Sequence, residues 1–275
     1  MERDVLVIIG AGGMGQAVAR RLGAGYQVLL ADVAADSLEA TADRMRVDGY
    51  LVTTQLVDVS SRESVSALAR RAESLGPVAR LVHTAGLSPT QAGVAAILAV
   101  DLLGVALVAE EFGEVMAPGG AGVIISSSSS YLYPNIFTPT EAAALRSTPA
   151  DELLSLPIAA RDNFKDPGIA YSFSKLANRL RVQGASHRWR ERGARINSLS
   201  PGVISTSMGR AELDANSASM GAMVRNSNAK RFGTPEDIAI GVEFLLSPAA
   251  SFVSGIDLLV DGGAIAGIFA GRDAL

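Results

Sequence analysis

A doubly wound α/β fold, one parallel sheet with helices on both faces, is predicted by three features of this sequence. Short apolar runs alternate with helix-sized segments from end to end, and the first run passes into a glycine-rich turn that opens a helix. The composition is 48% hydrophobic and only 19% charged, as expected when strands are covered on both faces. A length of 275 residues fits one large domain better than two small ones.

The elements follow in order. Five apolar residues, Val5 to Ile9, end at Gly10 and read as a buried strand; 16–23 then shows helical periodicity with a glycine stop. Further strands are expected at 27–31, 50–57, 81–84, 122–125, 194–199 and 256–260, the last preceded by a helix over 235–246. Such alternation implies right-handed crossovers. The rhythm breaks between Ile125 and Tyr171, where over forty residues carry Pro134, Pro139, Pro149, Pro157 and Pro167 around short helical pieces such as 141–146. Long proline-punctuated loops in compact domains often cover binding sites, so 131–168 is expected to be a lid.

Composition excludes several classes of function. No apolar run approaches the roughly 18 residues that span a bilayer, and no export signal is expected, which points to a cytoplasmic protein without a membrane partner. There are no cysteines and only two histidines, so disulfides, thiolate sites and a histidine-rich metal cluster are all excluded. A net charge of −4 argues against a nucleic-acid partner.

Two motifs carry chemistry. Gly10-Ala11-Gly12-Gly13-Met14-Gly15 sits between a strand and a helix, where glycines let the backbone approach a pyrophosphate lying against unsatisfied helix N–H groups. Asp32 ends the second strand near the spacing at which a carboxylate accepts hydrogen bonds from an adenosine ribose diol. It would repel a 2′-phosphate, which favours NAD over NADP. A cap for the following helix is the alternative role for Asp32. The second motif is Tyr171-Ser172-Phe173-Ser174-Lys175, with a phenol and an ammonium one helical turn apart. Only three of the 24 basic residues are lysines, so a lysine at this position suggests a specific use.

These residues resemble the short-chain dehydrogenase/reductase family almost end to end. Leu81-Val82-His83-Thr84-Ala85-Gly86 looks like the family stretch ending Asn-Asn-Ala-Gly, and Asp58-Val59 its adenine-contacting pair. Pro201-Gly202-Val203-Ile204 with Thr206 is similar to the loop that holds the nicotinamide end and pyrophosphate. Arg231 to Glu236, 244–248 and Asp261-Gly262-Gly263 resemble the ending of single-domain members. The resemblance implies a Rossmann domain whose cofactor meets Gly10, Gly12, Gly13, Met14, Gly15, Asp32, Asp58, Val59, Ala85, Gly86, Tyr171, Lys175, Pro201, Ile204 and Thr206. It also implies Tyr171 as acid/base and Lys175 as the ammonium that lowers its pKa and donates to the nicotinamide ribose. The family's hydrophobic-Ser-Ser pattern matches Ile125-Ser126-Ser127, making Ser127 the hydroxyl that orients the substrate oxygen, with Ser128 the second choice.

Three departures stand out. The glycine turn is one residue shorter than usual, and His83 and Thr84 replace two asparagines. Asp101 stands where the family has an asparagine supporting a water that links the lysine to solvent. The long loop is reminiscent of bacterial 3α-hydroxysteroid dehydrogenase-like members. The expected activity is hydride transfer between NAD and a largely apolar secondary alcohol or ketone, steroid- or terpenoid-like. A 3-oxoacyl thioester reductase and a non-catalytic dinucleotide sensor are the alternatives. By analogy with the family, a homo-oligomer, tetramer or dimer, is expected through helices over 101–116 and 171–191 and through the last strand. His83 reads as a core or cofactor-neighbouring residue, and His187 with the arginines of 179–192 as a solvated helix face. Tyr131, Tyr133 and Phe137 either line a substrate pocket or pack the loop onto the body.

Overall fold

The computed structural model describes residues 3–133 and 136–272, so Pro134 and Asn135 of the insertion lie outside the described residues. Seven parallel strands, β1 (Val5–Ile9), β2 (Gln27–Asp32), β3 (Leu51–Leu56), β4 (Val78–His83), β5 (Met116–Ile125), β6 (Arg195–Pro201) and β7 (Asp257–Val260), form one sheet in the order β3-β2-β1-β4-β5-β6-β7. Helices α1 (Gly13–Leu22), α2 (Ala35–Val47), α3 (Arg62–Leu75), α4 (Val94–Ile97) and α5 (Val105–Gly113) connect the first five strands. The doubly wound Rossmann-like architecture expected from the sequence is present.

Successive residues of β1 serve opposite layers, as the two-residue period of a strand requires. Val5, Val7 and Ile9 enter one core with Phe112 and Trp189, whereas Leu6 and Ile8 enter the other with Leu38 and Leu245. Both layers exclude water, which is why the run is apolar throughout instead of alternating. The edge strand β3 is only partly covered and carries Thr53, Thr54 and Gln55.

Several boundaries differ from expectation, the start of β5 most of all. β5 begins at Met116, six residues before the predicted start, because its first half bulges through Pro118, Gly119 and Gly120 while Met116 still pairs with Val78. The helix expected over 101–116 therefore stops at Gly113, and its beginning is irregular. Between α4 and α5 the residues Leu98–Gly104 form a wide π-helical turn that contains Asp101, a geometry often found at functional sites.

The insertion forms α6 (Pro139–Ser147) and α7 (Ala150–Leu153), the first opened by a capping box between Thr138 and Glu141. Leu145, Ala150 and Leu153 are buried in the core, so these helices pack as part of the body. They are tied down by charge: Arg62 bridges Glu110, Glu111 and Asp151, and Glu110 also holds Arg181 at 3.1 Å. Arg181, expected on a solvated face, is buried, donating to the carbonyls of Leu145 and Thr148 as well. His187 is exposed, as expected.

The chain continues through α8 (Pro167–Trp189), α9 (Ser207–Ala215), α10 (Ser217–Asn226), α11 (Pro235–Leu246) and α12 (Ala264–Arg272). α8 starts where Asp166 accepts the Ile169 N–H at 3.0 Å and Pro167 takes the first helical position. That start sets Tyr171 on the helix's second turn and Lys175 on its third. No described helix is long and apolar enough to cross a membrane.

Candidate active site

A crevice opens at the carboxyl ends of β1 and β4, where the strand order reverses, the usual place for ligands in such sheets. Its first wall is the turn after β1. Gly10 adopts a φ of +101°, and a Cβ there would lie 2.5 Å from the Thr84 hydroxyl; a Cβ on Gly15 would strike the Gly10 carbonyl at 1.9 Å. Gly12, the N-cap of α1, faces open space, and Gly13 packs towards Thr206. No acidic residue occupies the first turn of α1, so its free N–H groups present a positive end suited to a phosphate. The shortened turn still makes this cradle.

Asp32 fastens the turn from the side, accepting the Ala11 N–H at 2.6 Å and the Ala34 N–H at 3.0 Å. It does not cap α2, whose N-cap is Ala34. Asp58 is exposed at the end of β3 and accepts hydrogen bonds from Ser60, while Val59 is buried against Gly104. Across the crevice, Thr84 and Ala85 donate to the Ile9 carbonyl, and Gly86 passes so close to Asp101 that a Cβ would be 2.6 Å from Oδ1. After β6, Pro201 and Ile204 lead to Thr206, which caps α9 by accepting the Gly209 N–H at 3.0 Å.

Tyr171 and Lys175 come together as their spacing predicts. Nζ stands 5.3 Å from the phenol ring centroid and 2.9 Å from Asp101 Oδ1. Asp101 is held in turn by the Leu87 N–H on Oδ2 at 3.1 Å, and its carbonyl accepts from Asn178 at 2.9 Å. The asparagine-and-water link of the family gives way here to a direct ion pair. The serines sort themselves by partner. Ser126 is buried and donates to the Lys175 carbonyl at 2.7 Å; Ser127 lines the cleft with Tyr171 and favours its phenolate; Ser128 is buried in the cleft wall.

The electrostatics correct one expectation. Burial holds the Tyr171 phenol above its ordinary pKa; Lys175 pulls it down, Asp101 pushes it up, and Ser127 and Glu212 add smaller opposing effects. Lys175 therefore acts in the expected direction, yet desolvation outweighs it. Lys175 itself is opposed by burial, but Asp101 and then Tyr171 keep it above the ordinary ammonium value. His83 is fully buried beneath, with neither ring nitrogen hydrogen-bonded, and burial followed by Lys175 lowers its pKa to about 3.

The cleft beside Tyr171 encloses about 660 Å³. Its outer wall is α9 and α10, which place Met208, Glu212, Met220 and Met223 towards Ser127 and Tyr171. Sequence reading overlooked this wall; methionines at helical spacing after Thr206 were the available signal. Among the described residues, the insertion contributes Leu132, Tyr133, Asp166 and Gly168, followed by Ile169 of α8. An apolar annexe of about 290 Å³, lined by Ile136, Phe137, Ile158 and Phe164, shares Tyr133, Ile169 and Ser172 with the cleft. Tyr131 belongs to neither: its hydroxyl donates to Asp257 at 2.7 Å and its ring lies under Arg179. Among the described residues, no cluster of three or more potential metal ligands occurs.

Comparison with known proteins is consistent over the whole length. Residues 4–140 match the family model described as short chain dehydrogenase, and 154–264 that described as Enoyl-(Acyl carrier protein) reductase. Short-chain dehydrogenase/reductase bsc3 of Alternaria brassicicola is 42% identical over 267 residues, 97% of each chain. Galactitol 2-dehydrogenase (L-tagatose-forming) of Cereibacter sphaeroides is 31% identical, over 93% of this chain and 92% of its own. The fold is shared with levodione reductase, at a TM-score of 0.77 and 23% identity over 96% of this chain and 98% of that one. With family models matching nearly its full length and a close relative aligned from end to end, this chain belongs to the short-chain dehydrogenase/reductase family of oxidoreductases.

Proposed function

We propose that the protein interconverts a secondary alcohol and its ketone with NAD, on a substrate that is largely apolar around the reacting carbon. The observation that carries this reading is the convergence of Ser127, Tyr171 and Lys175 at the inner end of a crevice that begins at a glycine-lined helix N-terminus. The bound nicotinamide dinucleotide supplies or accepts the hydride. In reduction, the Tyr171 hydroxyl gives its proton to the carbonyl oxygen while Ser127 donates a hydrogen bond to the same oxygen; in oxidation the phenolate takes that proton back, and Ser127 again donates to the substrate oxygen. Lys175 favours the phenolate and would donate to the nicotinamide ribose.

The turn Gly10 to Gly15 would hold the pyrophosphate, Asp32 the adenosine ribose, Asp58 and Val59 the adenine side, and Ala85, Gly86, Pro201, Ile204 and Thr206 the nicotinamide half. A preference for NAD is supported by what surrounds Asp32. Residues 33–37 are Val-Ala-Ala-Asp-Ser, without a cation to pair with a 2′-phosphate, and Val33 is 72% exposed. The apolar annexe and the methionines of α9 and α10 support an alicyclic or similarly bulky apolar group. Those helices, with the two ends of the insertion, are the parts positioned to cover a bound substrate.

The test is a screen of cyclic and acyclic ketones with NADH and NADPH side by side, following loss of the reduced cofactor. Turnover of an alicyclic ketone with NADH well ahead of NADPH is the expected result. Absence of hydride transfer to any ketone at saturating cofactor would refute the activity, and equal use of both cofactors would refute the preference.

A further inference from the structure

The inner face of α9 carries an acid with no cation to match it. Met208 and Glu212 lie one turn apart and both line the cleft, while Arg210, Ala211 and Asp214 face solvent. In a surface helix the inward positions are normally apolar, as Met208 is. Glu212 breaks the pattern, and among the described residues no lysine, arginine or histidine forms an ion pair with it. The Ser88 side chain and Thr90 backbone on the opposite wall stand against the carboxylate, and its Oε1 is sealed from solvent. Burial raises its pKa, and its charge reaches Tyr171, whose phenol it pushes upward. A half-dehydrated carboxylate that shares a cleft with the reacting phenol is stabilised by any donor brought to it.

We propose that Glu212 is a second polar anchor for the substrate, accepting a hydrogen bond from a hydroxyl other than the one that reacts, so that the cleft selects diols and hydroxyketones over simple alcohols and ketones. This rests on the activity proposed above and narrows its substrate class: an apolar frame carrying two oxygens, one held by Ser127 and Tyr171 and the other by Glu212. The neutral hydroxyls and thioethers of the surrounding wall suit an uncharged donor.

Oxidation of cyclohexanol and of the cis and trans 1,2-, 1,3- and 1,4-cyclohexanediols, measured for the wild type, Glu212→Gln and Glu212→Met, tests this. At least one diol should exceed cyclohexanol in kcat/KM by roughly ten- to a hundredfold, the worth of a hydrogen bond to a charged acceptor. That ratio should collapse to within about threefold of unity in Glu212→Met and survive in part in Glu212→Gln, which keeps a neutral acceptor. If no diol outperforms cyclohexanol, or if Glu212→Met loses efficiency on all substrates alike with the ratio intact, Glu212 merely clamps α9 against the Ser88 loop and the proposal fails. Turnover of cyclohexanol in that case leaves the proposed activity standing; inertness of every alcohol with either cofactor overturns both.

Discussion

Lys175 Nζ lies 2.9 Å from Asp101 Oδ1, with the two side chains 5% and 0% exposed. The ammonium that faces the Tyr171 ring is thus compensated from behind by a carboxylate that the Leu87 N–H and the π-helical turn hold in place. One charge favours the phenolate, and the other opposes it with a smaller effect. Together with the desolvation of the phenol, this balance sets the pH at which it gives up its proton.

Replacing Asp101 with asparagine removes the opposing charge while keeping a hydrogen-bonding side chain of the same shape. Because Asp101 raises the Tyr171 pKa, the phenolate forms at lower pH in Asp101→Asn. The acidic limb of the kcat/KM profile for alcohol oxidation should move to lower pH, and the basic limb for ketone reduction should move with it. Glu212→Gln should shift both limbs in the same direction by less, as its charge has the smaller effect on the phenol. Profiles superimposable on the wild type would show that Asp101 has no electrostatic role.

Removing the partner altogether is a matter of stability. Asp101→Leu leaves the Lys175 ammonium buried and unpaired, which should cost roughly 3–5 kcal/mol. Urea unfolding of this variant beside the wild type measures the difference. Stability equal to that of the wild type would mean that the ion pair contributes nothing to the fold.

His83 makes the fold sensitive to acid. Its pKa is about 3 in the folded chain against an ordinary imidazole value of 6.5, so between those values the unfolded chain binds a proton that the folded chain refuses. This contribution to stability is complete above pH 6.5 and declines as the pH falls towards 3. From about pH 7 to about pH 5 the decline amounts to about 2 kcal/mol. His83→Leu, which also removes two unpartnered ring nitrogens, should lose that much less over the same interval in denaturant titrations. An unchanged pH dependence would contradict the burial of a neutral imidazole.

Much of this was legible in the chain because certain residues have few alternatives. A five-residue apolar run ending in a glycine with φ of +101° reads as strand and turn, and Tyr171 and Lys175 meet because one helical turn separates them. What escaped depends on contacts between distant segments. The start of β5 was hidden by Pro118-Gly119-Gly120, which look like a loop until Met116 is paired with Val78. Arg181 resembles any exposed arginine of α8 until Glu110 is brought to it from α5. The wall formed by α9 and α10 was missed because neither helix has a buried residue, so no apolar stripe marks them. Likewise, only the fold shows that Asp101 meets Lys175 directly.

The insertion should depend on Arg181. Arg181→Met preserves much of the apolar stem but leaves Glu110 and the carbonyls of Leu145 and Thr148 without their buried donor. A loss of roughly 3 kcal/mol is expected, read as a lower Tm by calorimetry. Faster proteolytic cleavage within 139–163 should accompany it. A Tm equal to that of the wild type would show that Arg181 contributes nothing to holding these helices.

The central claim is that the Tyr171 hydroxyl carries the proton that accompanies hydride transfer. Single-turnover oxidation of NADH by Tyr171→Phe, with a ketone that the wild type reduces, tests it most directly. The expected result is a rate lower by about 10²–10⁴-fold with NADH binding essentially unchanged; a wild-type rate in a protein that has lost only this hydroxyl would contradict it.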